Sequence, residues 1–391
     1  MKITPAIVDA IKSAVNRQRL IDTAVRLIAA PSWTGEAEKA CKCLAQILSG
    51  DGFQVDRPDA GHARAPAVVA RLDSSRPGKV LQFNGHLDTV HLPFVEPKVS
   101  GDLITGSGAS DMKGGIAAAV EALRVLRDTD ILPAGSVMLT AHDLHEAPWG
   151  FGQQLDQLIR DGCMGDGVLL PEPLHDRLPV VGRGGATWKV TISRSGPPVH
   201  EVMRPANEPS VIAAGAELVA RINRIGERLA KKFDPLAGPE TVFIGQIHSG
   251  EIYNQYPQEC WLEGTRRGLP GTGRQQVESE FRELLAGLER DAKTTVQADF
   301  RFIRDGFQLD ENDPLVDAFQ QAYESVVGNQ LPVGPKPFMD DGNSFWGLAQ
   351  KPAITHGPRA GGQHTVNEWV SIDDLVRLAQ VYALTAVAYC G

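Results

Sequence analysis

Apolar and polar residues along the first 180 positions form blocks that predict strands alternating with helices. Short apolar runs at residues 68–72, 80–84 and 136–141 predict three strands. Residues 114–127, between the second and third of these runs, are rich in Ala and other apolar residues and predict a well-buried helix. Strands that alternate with helices are typical of an α/β domain whose helices flank a mostly parallel sheet.

The two ends of the chain are mainly helical by the same criterion. Residues 8–50 carry apolar positions at helical spacing and predict two helices, separated at Pro31-Ser32. Toward the C-terminus the pattern predicts a helix at 314–326, a strand at 354–356 and a long apolar helix at 372–388.

The pattern changes near Val181. The following segments predict the order β-α-β-β-α-β, which is that of a ferredoxin-like module. Its elements are expected at residues 187–193, 210–229, 241–246, 259–263, 273–290 and 295–300. We therefore expect one domain made of residues 1–180 and 300–391, interrupted by a second domain at 181–299.

Length and composition limit the classes of protein to consider. A chain of 391 residues exceeds the usual size of a single hydrophobic core, which agrees with two domains. The chain has 39 basic and 48 acidic residues, a net charge of −9. An acidic balance of this kind argues against a nucleic-acid surface and against an anionic membrane partner.

The compartment is expected to be the cytoplasm. The first residues show no basic segment followed by an apolar run, and no stretch of eighteen apolar residues occurs. The five cysteines are odd in number and sparse, which is typical of a reducing compartment without disulfides.

Five short polar islands carry the chemistry that the sequence offers. Their residues include two His and three carboxylates that could hold two divalent cations side by side. Two cations about 3.5–4 Å apart can activate one water for hydrolysis. The islands are Gly85-His86-Leu87-Asp88, Ser110-Asp111-Met112-Lys113-Gly114-Gly115, His145-Glu146, Pro171-Glu172-Pro173 and Gln363-His364-Thr365.

Taken singly, the first two islands leave alternatives open. His86 and Asp88 end a predicted strand, where a site is often built, but alone this motif is weak and a loop His beside a solvated Asp explains it better. Asp111 precedes a predicted helix in a Gly-rich segment, so it could cap that helix or bridge two cations through its two oxygens.

The order of the islands resembles the M20 metallopeptidases. The chain reads G-H-x-D, then G-x-x-x-x-D-M-K-G-G, His145-Glu146 at the place of the family's acidic pair, E-P and a late H-T-x-N-E. The resemblance extends over nearly the whole chain and includes Gly182-Arg183-Gly184-Gly185 and Arg267-Gly268-Leu269-Pro270-Gly271. It implies a catalytic α/β domain with an inserted ferredoxin-like lid or dimerisation domain, and a homodimer formed through that insert.

The resemblance also implies roles for the island residues. His86 and Glu172 would bind one divalent cation, Glu146 and His364 would bind the other, and Asp111 would bridge both. Asp88 would orient His86. Zinc is the first expectation for the metal, and cobalt and manganese are the alternatives, since mixed His and carboxylate ligands suit all three.

Further roles fall in the inserted domain. His200 matches the histidine that polarises the scissile carbonyl, often in the partner subunit's site. Asn254 and Arg267 match positions that recognise the substrate's carboxylate, to which an Arg fork is suited. The expected substrate is thus an N-acyl amino acid or a short peptide.

The third island departs from the family. Two adjacent glutamates are usual there, a general base followed by a metal ligand, whereas this chain has His145-Glu146. Imidazole can accept a proton near neutral pH, so His145 is the first choice for the base. Two alternatives remain open: Asp143 acts as the base, or His145 is an extra ligand in a chain that hydrolyses poorly. His142 is expected to support the site without binding metal.

The segment Asp340-Asp341-Gly342-Asn343 resembles the family's S-D-G-N stretch, which borders the substrate pocket. Asp341 and Asn343 are therefore expected to bind substrate, and Asp340 at the usual Ser position favours a substrate with a cationic group. The function expected is hydrolysis of an N-acyl amino acid. The alternatives are a carboxypeptidase or dipeptidase of the same fold, and a metal- or ligand-binding protein without catalysis.

Overall fold

The computed structural model describes residues 3–391, and they form two compact units. The larger unit holds the chain up to Val180, Leu309–Gly334 and Asp340–Gly391. The smaller unit holds Val181–Gln308 and Pro335–Met339. The chain thus leaves the smaller unit at Gln308, later than residue 299, because its last long strand continues to Arg304 and a further short strand follows.

A six-stranded mixed sheet forms the centre of the larger unit. Its strands lie in the spatial order Gln54–Asp56, Val68–Asp73, Ser136–His142, Val80–His86, Gly167–Leu170 and Ala353–Thr355. The last four are mutually parallel, which confirms the mostly parallel sheet. Gln54–Asp56 pairs antiparallel with Val68–Asp73, which in turn pairs antiparallel with Ser136–His142. The strand Gly167–Leu170 was not expected from the sequence.

Helices flank this sheet. They are Pro5–Ala14, Arg17–Ile28, Glu38–Gly50, Gly114–Thr129, Gln153–Arg160, Pro314–Val327, Asp341–Ala349 and Ile372–Cys390. Three helices, and not two, occupy the N-terminal region, because the Asn16 side chain accepts a hydrogen bond from the Arg19 N–H at 3.0 Å and begins a new helix. Gly114–Thr129 is almost wholly buried, as its composition predicts.

Shorter elements complete the larger unit. A small antiparallel sheet consists of Lys98–Ser100, Leu103–Thr105, Trp369–Ser371 and Ala360–Gly361. The segment Ala109–Lys113 leads directly into the buried helix. All five cysteines are free thiols. Within residues 3–391 no helix is both long enough and apolar enough to cross a lipid bilayer.

The smaller unit is a four-stranded antiparallel sheet with helices packed on one face. Its strands lie in the order Thr241–Ser249, Glu259–Gly268, Gly184–Ser193 and Thr295–Arg304. The helices are Val211–Leu229, Arg274–Ala286 and Leu288–Ala292. This is the expected β-α-β-β-α-β order, and its core is built on alternate residues of the central strands, among them Trp188, Val190 and Leu262.

Short segments extend the smaller unit. Val199–His200 pairs with Gln255–Tyr256, and Phe233–Asp234 pairs with Gly238–Pro239. Phe307–Gln308 pairs with the end of Leu178–Gly182. Leu178–Gly182 and Val333–Lys336 each have residues in both units. Glu201–Met203 is a single helical turn.

A buried imidazole lies in the larger unit, directly after the strand Ala353–Thr355. His356 is 1% exposed, and neither ring nitrogen has a hydrogen-bond partner among the residues described. The rings of Phe319 and Tyr323 meet it edge-on at 5.2 and 5.4 Å. Burial, with the nearby charges of Arg377 and His175, lowers the pKa of His356 to about 3. The imidazole is therefore neutral in the folded protein.

This burial makes stability depend on pH between about 6.5 and 3. In that window the unfolded chain protonates His356 and the folded protein does not, so the free energy of unfolding falls as pH falls. From pH 6.5 to pH 5 the loss from this group is about 1.6 kcal/mol. We expect His356→Leu to remove that component, so wild type loses about 1.6 kcal/mol relative to the variant over this range. Urea unfolding of the metal-free proteins measures it. His248→Gln, at an exposed imidazole, is the control, and parallel profiles for wild type and His356→Leu would contradict the prediction.

Candidate metal centre

The polar islands converge at one edge of the central sheet. His86 is the last residue of the strand Val80–His86, and Glu172 follows Gly167–Leu170 by two residues. Because parallel strands end at the same edge, these side chains come together. Asp111 arrives from the segment before Gly114–Thr129. Gly115 lets that helix approach closely, since a Cβ there would lie 2.2 Å from the Pro171 carbonyl oxygen.

Asp111 lies between two imidazoles. Its Oδ1 is 3.0 Å from His86 Nε2, and its Oδ2 is 3.4 Å from His364 Nε2. Each imidazole also faces a glutamate: His86 Nε2 is 3.7 Å from Glu172 Oε1, and His364 Nε2 is 3.0 Å from Glu146 Oε2. The structure thus brings together all five residues expected to bind metal, although they span most of the chain.

These distances fit two cations. Ligand atoms about 2.0–2.1 Å from a tetrahedral zinc lie about 3.3 Å from one another, and the four separations between these imidazoles and carboxylates, 3.0–3.7 Å, are close to that value. One oxygen of Asp111 faces each imidazole, which is the arrangement of a bridging carboxylate. Grouped by proximity alone, His86, Glu172 and His145 lie within 4.8 Å of one another, as do His86, Asp111 and Glu146. His145 is therefore close enough to be a further ligand.

The charges at the centre attract cations. Burial and the charge of Asp111 raise the pKa of Glu172 well above its usual range. Burial would also raise the pKa of Asp111, but hydrogen bonds with His364 and His86 hold it well below its usual range. Hydrogen bonds to Asp111 and Glu146 raise the pKa of His364 to about 10. Without a cation the carboxylates hold protons on the imidazoles, and divalent cations would displace those protons.

Asp88 supports two ligands. Its backbone carbonyl oxygen is 3.0 Å from His86 Nδ1, whereas its carboxylate Oδ1 is 3.6 Å from the same nitrogen. The other carboxylate oxygen accepts hydrogen bonds from the N–H groups of His145 and Glu146, both at 3.0 Å. Asp88 orients His86 mainly through its carbonyl, and its carboxylate positions the third island.

Glu368 positions Asp111, a role that the sequence did not reveal. Its buried carboxylate accepts hydrogen bonds from the N–H groups of Gly108, Ser110 and Asp111 at 3.1–3.2 Å. The only signal in the sequence is that Glu368 ends the H-T-x-N-E island. The same short motif therefore supplies a ligand, His364, and the support of the bridging carboxylate.

The third island places His145, not Asp143, beside the donors. The ring of His145 stacks on that of His86 with centroids 3.9 Å apart and planes 6° apart, and its Nε2 is 4.0 Å from Glu172 Oε1. The Asp143 carboxylate instead accepts hydrogen bonds from the N–H groups of Gly35 and Ala37, at 2.8 and 3.0 Å. Of the two residues considered as base, only His145 faces the centre.

Asp341 lies between two histidines, and its contact with substrate stays a prediction. Its Oδ1 is 2.8 Å from His145 Nδ1, and its Oδ2 is 2.8 Å from His142 Nε2 and accepts from the Asn84 amide at 2.8 Å. Burial would raise the pKa of Asp341, but the two imidazoles hold it well below its usual range. His142 is fully buried and supports the site without facing the donors, as expected.

The neighbours of Asp341 begin a helix. Asp340 and Asn343 form the cap of Asp341–Ala349, where the Asp340 carboxylate accepts from the Gly342 N–H at 2.7 Å and from the Thr355 hydroxyl at 2.6 Å. Asp340 is 1% exposed and Asn343 is fully buried. The structure therefore does not bring either side chain to an accessible position, and their contact with substrate stays a prediction.

The remaining predicted residues lie in the smaller unit. His200 is exposed, with Nε2 3.1 Å from Asn254 Nδ2 and Nδ1 2.9 Å from Glu201 Oε2. Arg267 is half-buried, and burial with the neighbouring Arg183 charge lowers its pKa. Among the residues described, no acidic side chain pairs with Arg267. An anionic ligand would suit this pair of guanidinium groups.

Comparison with known proteins places the chain in a family. Residues 82–388 match the family model of peptidase family M20/M25/M40. A succinyl-diaminopimelate desuccinylase of Methylobacterium radiotolerans is 30% identical over 94% of this chain and 97% of its own length.

Solved structures show the same fold. An aminopeptidase PepT of Bacillus cereus superposes with a TM-score of 0.80 at 20% identity, covering 96% of this chain and 100% of that one. A dinuclear metal-binding M20 peptidase of Bacillus subtilis superposes with a TM-score of 0.67 at 16% identity, covering 95% and 97%. The chain belongs to peptidase family M20/M25/M40 and is a metal-dependent amide hydrolase.

Proposed function

We propose that the chain hydrolyses the amide bond of N-acyl amino acids, with N-succinyl compounds as its preferred class. The 30% identity to a succinyl-diaminopimelate desuccinylase over nearly the whole chain supports this substrate class. The half-buried guanidinium groups of Arg183 and Arg267 in the smaller unit suit the carboxylates that such a substrate carries. His200 and Asn254 stay predictions for contacts to the same substrate.

One observation carries the metal part of the proposal: the two oxygens of Asp111 face two imidazoles, each beside a glutamate. His86 and Glu172 would hold one divalent cation, Glu146 and His364 the other, and Asp111 both. Zinc is the first expectation, with cobalt and manganese as alternatives. When bound, the pair would supply Lewis-acid polarisation and lower the pKa of a water molecule.

The residues around the cations would move the proton. We propose that His145 Nε2, which lies on the side of Glu172, accepts a proton from the attacking water and delivers it to the leaving amine nitrogen. The stack on His86 and the Asp88 carboxylate fix the ring and the backbone of His145. Glu172 and His86 are nearly fully buried, so this side of the centre is shielded from bulk water.

The smaller unit is also proposed to form a homodimer interface. Its edge strand Thr241–Ser249 exposes Phe243 and Ile247, which are 62% and 54% exposed. Unpaired backbone groups at a sheet edge are open to pairing with a second copy of the chain.

A substrate panel tests the proposed function. The protein is stripped with a chelator, reloaded with zinc, cobalt or manganese, and assayed with N-succinyl amino acids, N-acetyl amino acids and dipeptides. We expect activity only after reloading, with kcat/KM at least about tenfold higher for N-succinyl amino acids than for dipeptides.

Each other outcome has a meaning. Faster turnover of dipeptides would contradict the desuccinylase proposal and favour a peptidase. Failure to hydrolyse any of the substrates, by a protein that holds two metal ions, would favour the ligand-binding alternative.

A further inference from the structure

A buried chain of polar side chains leads from the sheet to the Nδ1 side of the His145 ring. The Gln82 amide donates to the Thr140 hydroxyl at 2.7 Å, and that hydroxyl donates to Asn84 Oδ1 at 2.7 Å. The Asn84 amide then donates to Asp341 Oδ2 at 2.8 Å. Gln82, Thr140, Asn84 and Asp341 are each no more than 1% exposed. A chain of this kind holds one carboxylate in one orientation.

The position of Asp341 fixes which nitrogen of His145 carries its proton. A carboxylate is an acceptor, so the contact of 2.8 Å with Nδ1 requires a hydrogen on that nitrogen. Nε2 of the neutral ring then has a free lone pair. Since Nε2 lies 4.0 Å from Glu172 Oε1, that lone pair is on the side of the metal donors.

His142 and Asn84 leave Asp341 little freedom to move. Both donate hydrogen bonds to Asp341 Oδ2, while His145 Nδ1 donates to Oδ1. His142 and His86 are opposite one another on neighbouring parallel strands, as are Thr140 and Asn84. The sheet therefore sets the place of Asp341 relative to the metal donors, although Asp341 itself comes from the helix Asp341–Ala349.

We propose that Asp341 is a positioning residue that holds His145 as the Nδ1–H tautomer, with Nε2 directed at the metal centre, and that it does not bind substrate. The proposal rests on the proposed function in one respect, the role of His145 in proton transfer. A member of the family with a glutamate at this position has no ring to orient, so the pairing belongs to the histidine that this chain has at position 145.

Kinetics on the metal-loaded protein test the proposal. We expect Asp341→Asn to lower kcat about 100-fold or more, with KM within about threefold of wild type and two metal ions still bound. In a His145→Glu background the same substitution should lower kcat by less than about threefold, because there is no imidazole to orient. Asp9→Asn, at an exposed helix position, is the control for loss of a carboxylate.

Two results would overturn the proposal. One is a rise in KM with kcat retained, which would place Asp341 at the substrate. The other is an equal loss in both backgrounds, which would mean that Asp341 does not act through His145. Should Asp341→Asn fail to fold, Asn84→Ala tests the same chain: we expect a fall in kcat of about 3–10-fold in wild type and none in His145→Glu.

A spectroscopic measurement separates this proposal from the proposed function. Nitrogen NMR of the zinc-loaded protein with ¹⁵N-labelled histidine reports the tautomer of each ring without any substrate, and His145→Gln identifies the His145 signals. We expect the Nδ1–H form in wild type and its loss in Asp341→Asn. An Nε2–H form in wild type would overturn the positioning role even if the substrate panel succeeds, and an Nδ1–H form would support it even if the panel fails.

Discussion

Replacing Asp111 by asparagine should abolish most activity and reduce the bound metal from two ions to at most one. The two oxygens of Asp111 face His86 and His364 at 3.0 and 3.4 Å, and an amide can offer only one uncharged oxygen. Loss of the bridging charge removes a donor from both cations. We expect kcat/KM to fall about 10³-fold or more, equal to about 4 kcal/mol of transition-state stabilisation.

The measurement pairs kinetics on the best substrate of the panel with elemental analysis of the purified protein. Asp9→Asn, which removes a carboxylate from an exposed helix position of the same unit, should keep both activity and metal content. An Asp111→Asn protein that retains two ions and wild-type kcat/KM would rule out Asp111 as the bridge, and with it the two-cation centre as described.

Replacing His145 by alanine should have the second largest effect and should leave the metal in place. If His145 moves the proton, kcat falls about 10²–10⁴-fold while KM and metal content stay near wild type. His145→Glu restores the residue that the family usually has here and should keep activity within about tenfold of wild type. Steady-state kinetics and elemental analysis of the three proteins, with the exposed His248→Gln as control, measure this.

The same variants distinguish the alternatives for His145. A drop in bound metal for His145→Ala would show that the ring is a ligand, as its distance of 4.0 Å from Glu172 allows. A natural chain without activity on any substrate, together with an active His145→Glu, would show that catalysis was lost when the glutamate was replaced. Full activity of His145→Ala would exclude the ring from proton transfer.

The candidate metal donors could be named from the sequence because each lies in a short contiguous motif. His86 ends a strand predicted from the apolar residues Val80, Leu81 and Phe83, and Asp111 shortly precedes a helix rich in Ala. The order of such motifs is a property of the chain alone, so no long-range contact had to be guessed. The ferredoxin-like order of the smaller unit was predictable for the same reason.

The support of the donors could not be read from the sequence, because it depends on contacts between distant residues. Asp341 and His145 are 196 residues apart, and Glu368 and Asp111 are 257 apart. Neither periodicity nor motif spacing reports on such pairs. For Asp341 the sequence offers only the resemblance, which implies contact with substrate and says nothing of the two histidines that its carboxylate contacts.

Two elements next to the site were missed for local reasons. The strand Gly167–Leu170 has four residues, too few for a periodic pattern to be distinguished from a loop. The helix Asp341–Ala349 contains two glycines, which are poor helix formers, and it is started by the capping box of Asp340 and Asn343. In both cases tertiary packing decides what local preference leaves open.

Because the smaller unit interrupts the larger one along the chain, the ribosome makes the two parts of the metal centre at different times. A ribosome that adds about 5–20 residues per second makes His364 on the order of 10–40 s after Glu172. During that interval His86, Asp111, Glu146 and Glu172 exist without the second imidazole, and the sheet lacks its edge strand Ala353–Thr355. Cation binding can therefore contribute its full free energy to folding only once the chain includes His364. A chain that ends before His364 has only the first four of these donors, three of which are carboxylates.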